Sequence, residues 1–201
     1  MSESPRDDEQ QPQVPEYKVS EKKTISEYAA LDAEDESLRK WKESLGITQD
    51  VATGKTLGDP NDPRKVVVFE MRVNVEGMEP MVFDLENKEV LEKLKKEPIA
   101  IKEKSKYNLT VKFRIQHEIV TGLRYIQVAR RAGIRANKVE EACGSYPPST
   151  EDKPFYTKEF AEYEAPSGML ARGHYTATSS FIDDDQVTHL EVPWCFDIVK
   201  G

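Results

Sequence analysis

The stretch "VVVFEMRVNVE", residues 66–76, places Val67, Phe69, Met71, Val73 and Val75 at odd positions, while Glu70, Arg72, Asn74 and Glu76 take most of the even ones. Successive side chains of an extended chain point to opposite faces, so this alternation predicts a β-strand with one buried face. The same signature recurs in "KYNLTVKFRIQ" (106–116), where Tyr107, Leu109, Val111, Phe113 and Ile115 alternate with polar residues. It recurs again in "HLEVPWCFDIV" (189–199), with Leu190, Val192, Trp194, Phe196 and Ile198 on one face. Shorter strands fit "MVFDL" (81–85), "IAIK" (99–102), "LRYIQVAR" (123–130) and "GMLARGHYTATS" (168–179). "KEVLEKLKK" (88–96) breaks the pattern as one helical turn or two. Roughly seven to nine short strands separated by turn residues predict an all-β fold, an antiparallel β-sandwich of immunoglobulin-like type.

Upstream of residue 66 the character of the chain changes. Residues 1 to about 20 are rich in Gln, Glu, Pro and Ser and have little to bury, which predicts a disordered tail. Two short helical candidates follow, around "TISEYAAL" (24–31) and "EDESLRKWKESLG" (34–46). Asp32 or Asp35 can cap the second, and Gly46 can end it. Its apolar stripe is thin, consisting of Leu38, Trp41 and Leu45. "ITQDVATGKTLGDPNDPRK" (47–65) then reads as a linker, dense in Gly, Pro, Asp and Asn. The expected organisation is a flexible, partly helical N-terminal arm over 1–58 and a sandwich over 59–201.

The chain of 201 residues carries a formal net charge of -8, and the charge is uneven. Residues 1–58 hold 8 Lys+Arg against 13 Asp+Glu, a balance of -5, and residues 59–201 hold 21 against 24, a balance of -3. Such a chain repels phosphate backbones and anionic headgroups, so nucleic-acid binding and stable membrane association are not expected, whereas a basic partner is. No apolar run is long enough to span a bilayer, and the first residues lack the layout of a signal peptide, so a cytosolic location is expected. Cys143 and Cys195 read as free thiols.

Catalytic motifs find little support. "TGKT" (53–56) resembles the end of a phosphate-binding loop, but the glycine that the motif needs five residues before Gly54 is Gln49 here. Asp183, Asp184 and Asp185 stand together in "FIDDDQ", where a solvated turn is a better reading than a calcium loop, because hard-cation loops alternate their ligands and carry a glycine at the sharp bend. His117, His174 and His189 are scattered and no nucleophile motif is present. No catalytic residue, metal or cofactor is expected; the remaining class is binding. On pattern alone, Tyr107 and Trp194 read either as core or as the lining of a ligand site.

"DESLRKWKESLG", "VTGLRYIQ", "GSY" at 144–146, and "EAPSGMLARGHY" followed by "SFIDDD" and "HL" together resemble the Rho GDP-dissociation inhibitors, in order from about Tyr17 to Lys200. The resemblance implies a non-enzymatic protein whose arm folds as a helical pair on the switch regions of a Rho-family GTPase, GDP-bound by preference. It also implies a sandwich that takes up the GTPase's geranylgeranyl chain, forming a heterodimer from an otherwise monomeric protein. By resemblance, Asp35 and Ser37 face the first switch region, with Leu38 and Trp41 packing beside them; Trp41 stands where the family usually has tyrosine. The prenyl pocket would involve Leu45, Val73, Ile99, Tyr107, Ile119, Val192 and Trp194. Ile99 and Val192 replace aromatic residues of animal members. Glu162, Glu164, Asp183, Asp184 and Asp185 are candidates to hold the GTPase's basic tail, helped by Asp7, Asp8 and Glu9, while Tyr163 replaces an acidic residue usual for the family. The alternative reading is a general prenyl- or lipid-carrying module without nucleotide-state control.

Overall fold

The computed structural model describes Glu36, Ser37, Lys40 and residues 56–201. Its elements run β1 (Val66–Val75), β2 (Met81–Asp84), α1 (Lys88–Lys96), β3 (Ile99–Lys102), β4 (Lys106–Ile115), β5 (Val120–Arg131), β6 (Ile134–Tyr146), β7 (Tyr156–Glu159), β8 (Tyr163–Glu164), β9 (Gly173–Ile182) and β10 (Thr188–Val199). One sheet has the order β2-β1-β4-β7, with β8 pairing the start of β4; the other has the order β3-β10-β9-β5-β6. All pairs are antiparallel except β3 with β10. Met71, Val73 and Phe113 from the first sheet join Tyr125, Ala177 and Trp194 from the second in one buried cluster, as a sandwich requires.

The alternation in 66–76 holds from Met71 onward, but a register shift between Val68 and Glu70 reverses it earlier. This bulge puts Val66 and Val68, rather than Val67 and Phe69, into the central cluster. Phe69 is half-buried and meets the ring of Phe155 edge-on, with centroids 6.0 Å apart. An extra residue in one strand of a pair moves every side chain on one side of it to the opposite face, so strict period two overran the bulge.

Helix α1 is longer than one turn and is capped at both ends. The Asn87 side chain accepts from Glu89 N–H, Glu89 lies in the first turn, and Lys93, Lys95 and Lys96 fill the last. These charges complement the helix dipole. Leu94 is buried, and the Cys195 thiol on β10 reaches the Leu94 carbonyl at 3.6 Å. The helix carries the chain from an edge of the first sheet to an edge of the second, and so lets β3 enter parallel to β10.

Two further differences from the sequence reading concern β6 and residues 168–172. β6 pairs with β5 through a tight turn at Ala132 (φ 48°) and Gly133 (φ 79°), the left-handed pair favoured between twisted strands. It is an edge strand with mostly exposed side chains, so no apolar alternation announces it. Residues 168–172, expected in a strand, form a turn in which the Ala171 and Arg172 amides both donate to the Gly168 carbonyl; β9 begins at Gly173. Thr56 and Leu57, on the arm side of the expected boundary, are fastened to the sandwich by a Thr56–Thr150 bridge and by Leu57 N–H donating to the Ser149 carbonyl at 2.7 Å.

Candidate functional site

Where β4, β7 and β8 of one sheet meet β5 and β6 of the other, a small cavity remains between Tyr107, Leu109, Tyr125, Gln127, Phe160 and Tyr163. It encloses about 10 Å³, room for a single water. Its floor is aromatic: Tyr125 stacks on Phe160 at 4.2 Å between centroids and leans on Phe181 at 5.4 Å. A polar line crosses this floor on neighbouring strands. Trp194 Nε1 donates to Ser179 Oγ at 3.0 Å, Ser179 is hydrogen-bonded to the Tyr125 hydroxyl at 2.9 Å, and that hydroxyl donates to Gln127 Oε1 at 2.7 Å. Burial pushes the Tyr125 phenol well above the usual tyrosine range, which keeps it a donor.

The edge of the cavity is closed by a carboxylate. Glu141 on β6 accepts from Ala161 N–H at 3.1 Å to each oxygen and from the Tyr163 hydroxyl at 2.9 Å. These bonds tie the β7–β8 segment of the first sheet to the edge strand of the second. Burial, together with the hydrogen bond to Glu141, pushes the Tyr163 phenol up to about 12. Tyr107, paired with Tyr163 across β4 and β8, brings its ring to 6.2 Å from that of Tyr163.

Among the expected pocket residues, Tyr107 lines this cavity. Val73, Ile99, Val192 and Trp194 are buried in the central cluster on β1, β3 and β10. Ile119 lies in the turn before β5, beside the end of β4 opposite to Tyr107, and is half-buried. Tyr125, Gln127, Glu141, Phe160 and Ser179 complete the site and were not singled out from the sequence. Tyr125 and Gln127 do alternate in "LRYIQVAR", and that was their available signal; Glu141 had none, since it sits on the unannounced strand β6.

The acidic candidates fall into two groups. Glu162 and Glu164 flank Tyr163 beside the cavity, Glu162 in an ion pair with Lys106 at 3.0 Å and Glu164 opposite Lys106 in the β4–β8 pairing. Asp183, Asp184 and Asp185 stand in the β9–β10 turn, where Asp184 N–H donates to the Thr121 carbonyl near the other end of β4, roughly 30 Å away by the rise of a strand. Asp183 is engaged inside that turn. Its side chain is 7% exposed, and it accepts from Val187 N–H at 2.9 Å and pairs with His189 Nε2 at 2.8 Å. Ser37 is helical and exposed, beside a Glu36–Lys40 pair of 3.0 Å. Asp35, Leu38, Trp41 and Leu45 lie outside the described residues, as do Asp7, Asp8 and Glu9.

The histidines hold three separate hydrogen bonds, His117 with the Asp62 carbonyl, His174 with Asp197 and His189 with Asp183. Among the described residues no group of three or more His, Cys, Asp or Glu side chains is arranged to hold a metal ion, and no helix is long and apolar enough to cross a membrane.

A family model described as RHO protein GDP dissociation inhibitor matches residues 2–201. The chain is 53% identical over 186 residues to a Rho GDP-dissociation inhibitor of Saccharomyces cerevisiae, covering 92% of this chain and 90% of that protein. It is 44% identical over 187 residues to a Rho GDP-dissociation inhibitor of Schizosaccharomyces pombe, covering 93% and 87%. It is 39% identical over 184 residues to human Rho GDP-dissociation inhibitor 1, covering 92% and 85%.

Proposed function

This chain belongs to the Rho GDP-dissociation inhibitor family, and from that premise we propose that it binds prenylated Rho-family GTPases, restrains their GDP and draws them off membranes. The family consists of regulatory binding proteins, not enzymes. In this reading the arm, residues 1–55, clamps the switch regions through Asp35, Ser37, Leu38 and Trp41, and the sandwich from Thr56 onward receives the geranylgeranyl chain. Switch loops change order with the bound nucleotide. An arm that prefers their GDP arrangement must, by linkage, tighten the hold on GDP.

The observation that carries the lipid half of this reading is the aromatic cavity beside Glu162 and Glu164. Prenylated GTPases carry basic residues next to the modified cysteine, and these acids stand where such a tail can lie while the lipid enters. One water's worth of space does not admit a prenyl chain, so uptake requires the two sheets to part at the Glu141–Tyr163 edge. Val73, Ile99, Val192 and Trp194 then line the widened space, with Leu45 at its mouth. Each buried CH₂ returns on the order of 0.8 kcal/mol, so the transfer from bilayer to protein is near balance and the protein contacts set its direction.

The test is release of labelled GDP from a geranylgeranylated Rho-family GTPase on liposomes, followed by sedimentation. Slower release together with GTPase in the supernatant is expected. Removing residues 1–55 abolishes the first effect and weakens the second. GTPase leaving the membrane while GDP escapes freely, with the intact chain, would reduce the protein to a lipid carrier.

A further inference from the structure

We propose that one end of the sandwich is a docking surface for anionic lipid bilayers, independent of any GTPase. Three loops meet there. The β5–β6 hairpin tip, residues 131–134, touches the 166–172 turn through Arg131 Nη2, which donates to the Arg172 carbonyl at 2.6 Å. The β3–β4 connection joins them, with Lys104 N–H donating to the Ala165 carbonyl at 3.0 Å and Glu103 accepting from Gly168 N–H at 2.9 Å.

Each of two loops lifts apolar side chains off the surface at this end. Ile134 is 75% exposed on the hairpin, and Met169 and Leu170 are 85% and 90% exposed on the turn. No core argument accounts for them: the neighbouring strands already bury their own inner faces, and Gly168 (φ 97°) and Gly133 (φ 79°) shape the turns that carry these residues outward.

Cations surround these tips. Lys102, Lys104, Arg130, Arg135 and Lys200 are exposed and form no ion pair with a carboxylate among the described residues. Arg172 is neutralised by Glu103 at 2.7 Å and does not count. The other acids of this end are Asp197, paired with His174 at 2.8 Å, and, on the first sheet's side, Glu76 and Glu79 after β1 and Glu162 and Glu164 at β8, with Glu162 paired to Lys106. A chain of net charge -8 thus presents a locally basic face, and a net charge says nothing of such a patch.

Exposed apolar tips ringed by Arg and Lys match a bilayer interface, where the tips enter the headgroup boundary and the cations meet anionic lipids. An acidic peptide would satisfy the cations but leave Ile134, Met169 and Leu170 in water. The cavity edge at Tyr163 and Tyr107 lies at this same end, since β8 pairs with the start of β4 and Ala165 is tied to the β3–β4 loop. Docking there brings that edge to the membrane surface.

The full chain, without GTPase, is sedimented with vesicles of phosphatidylcholine alone or mixed with phosphatidylserine. Binding is expected to the mixed vesicles in about 0.05 M salt, lost by about 0.5 M as charges are screened. Arg130→Glu with Arg135→Glu, and separately Met169→Ser with Leu170→Ser, each weaken it at least about tenfold. All four side chains are solvent-facing or at a turn tip, and an unchanged melting temperature confirms intact folding. The proposal is overturned if the chain ignores phosphatidylserine vesicles at low salt, or if either pair of substitutions leaves binding intact. It is also overturned if polyglutamate binds equally well and Met169→Ser with Leu170→Ser makes no difference, which would point to an acidic protein partner. Because no GTPase is present, failure here leaves the proposed inhibition of GDP release standing.

Discussion

The Tyr163 hydroxyl donates to the Glu141 carboxylate across 2.9 Å and so joins the β7–β8 side of one sheet to the edge strand of the other, directly over the interior cavity. Sandwich sheets hold together chiefly through apolar packing, and a hydrogen bond across their open edge is a local clasp on top of it.

Glu141→Ala removes the acceptor for both the Ala161 amide and the Tyr163 phenol, and is expected to lower unfolding free energy by about 1–3 kcal/mol. Tyr163→Phe loses one of those bonds and costs about 0.5–1.5 kcal/mol. Urea denaturation of both single variants and the double variant measures the coupling. Full additivity would show that the two residues do not act together. In the extraction assay, Tyr163→Phe is expected to take up prenylated GTPase faster than the unaltered chain, because less must open.

The same phenol titrates late. Its value in the fold is about 12, against roughly 10 in an unfolded chain. A group whose folded value is raised contributes stability that is fully present below the unfolded value and disappears as pH climbs through the folded one, here from about 10 to about 12. Tyrosinate absorbance should therefore show a late step, shared with the buried Tyr156 and Tyr125, whose amplitude falls by one tyrosine in Tyr163→Phe. An unchanged titration curve in that variant would contradict the clasp.

Both thiols are expected to be slow at pH 8. Burial pushes Cys143 up to about 11 and raises Cys195 as well. The thiolate is the reactive form, so Cys143 should react with a thiol reagent about two orders of magnitude more slowly in the native protein than in denaturant. Equal rates would mean that the β6 edge opens on the timescale of the reaction.

Asp183 and Asp184 are neighbours with different work. Asp183→Ala strands His189 and the Val187 amide inside the β9–β10 turn and should cost about 3 kcal/mol. Asp184 is exposed, and Asp184→Ala should stay within about 0.5 kcal/mol. If Asp184→Ala nevertheless weakens GTPase binding, the turn contacts the partner; if neither variant does so beyond its stability loss, the triplet is a turn and nothing more.

Trp194→Phe keeps most of the buried ring but removes the donor to Ser179, a loss of about 1–2 kcal/mol, whereas Trp194→Ala opens a void worth about 3–5 kcal/mol. The phenylalanine variant is therefore the one that reports on lipid uptake. Normal extraction by a stably folded Trp194→Phe, at the level of the unaltered chain, would place the indole in the core alone.

Much of the fold was legible because burial and period two coincide on β1, β4 and β10, where Met71, Val73, Phe113, Trp194 and Phe196 all face inward as their spacing predicts. The bulge at Val68/Glu70 was not, because an inserted residue leaves the composition of the strand untouched while reversing its faces. Of the residues named from the sequence, Tyr107, Glu162 and Glu164 stand together at one edge, since Tyr107 pairs with Tyr163 between the two acids. The site was not legible at Glu141, whose role depends on a neighbour 22 positions away.

The sequence by itself determined the class of fold, the strands with a buried face and, through its ordered motifs, the family, because local periodicity and motif spacing are properties of the chain alone. Tertiary structure decided which acids meet and which part, sending Glu162 and Glu164 to one end and Asp183 to Asp185 to the other. It also decided that Arg130, Arg135 and Lys104 gather around Ile134, Met169 and Leu170 on a chain that is acidic overall. The physical reason is that electrostatic and apolar contacts depend on distance in space, and the pairing of strands far apart in sequence sets that distance.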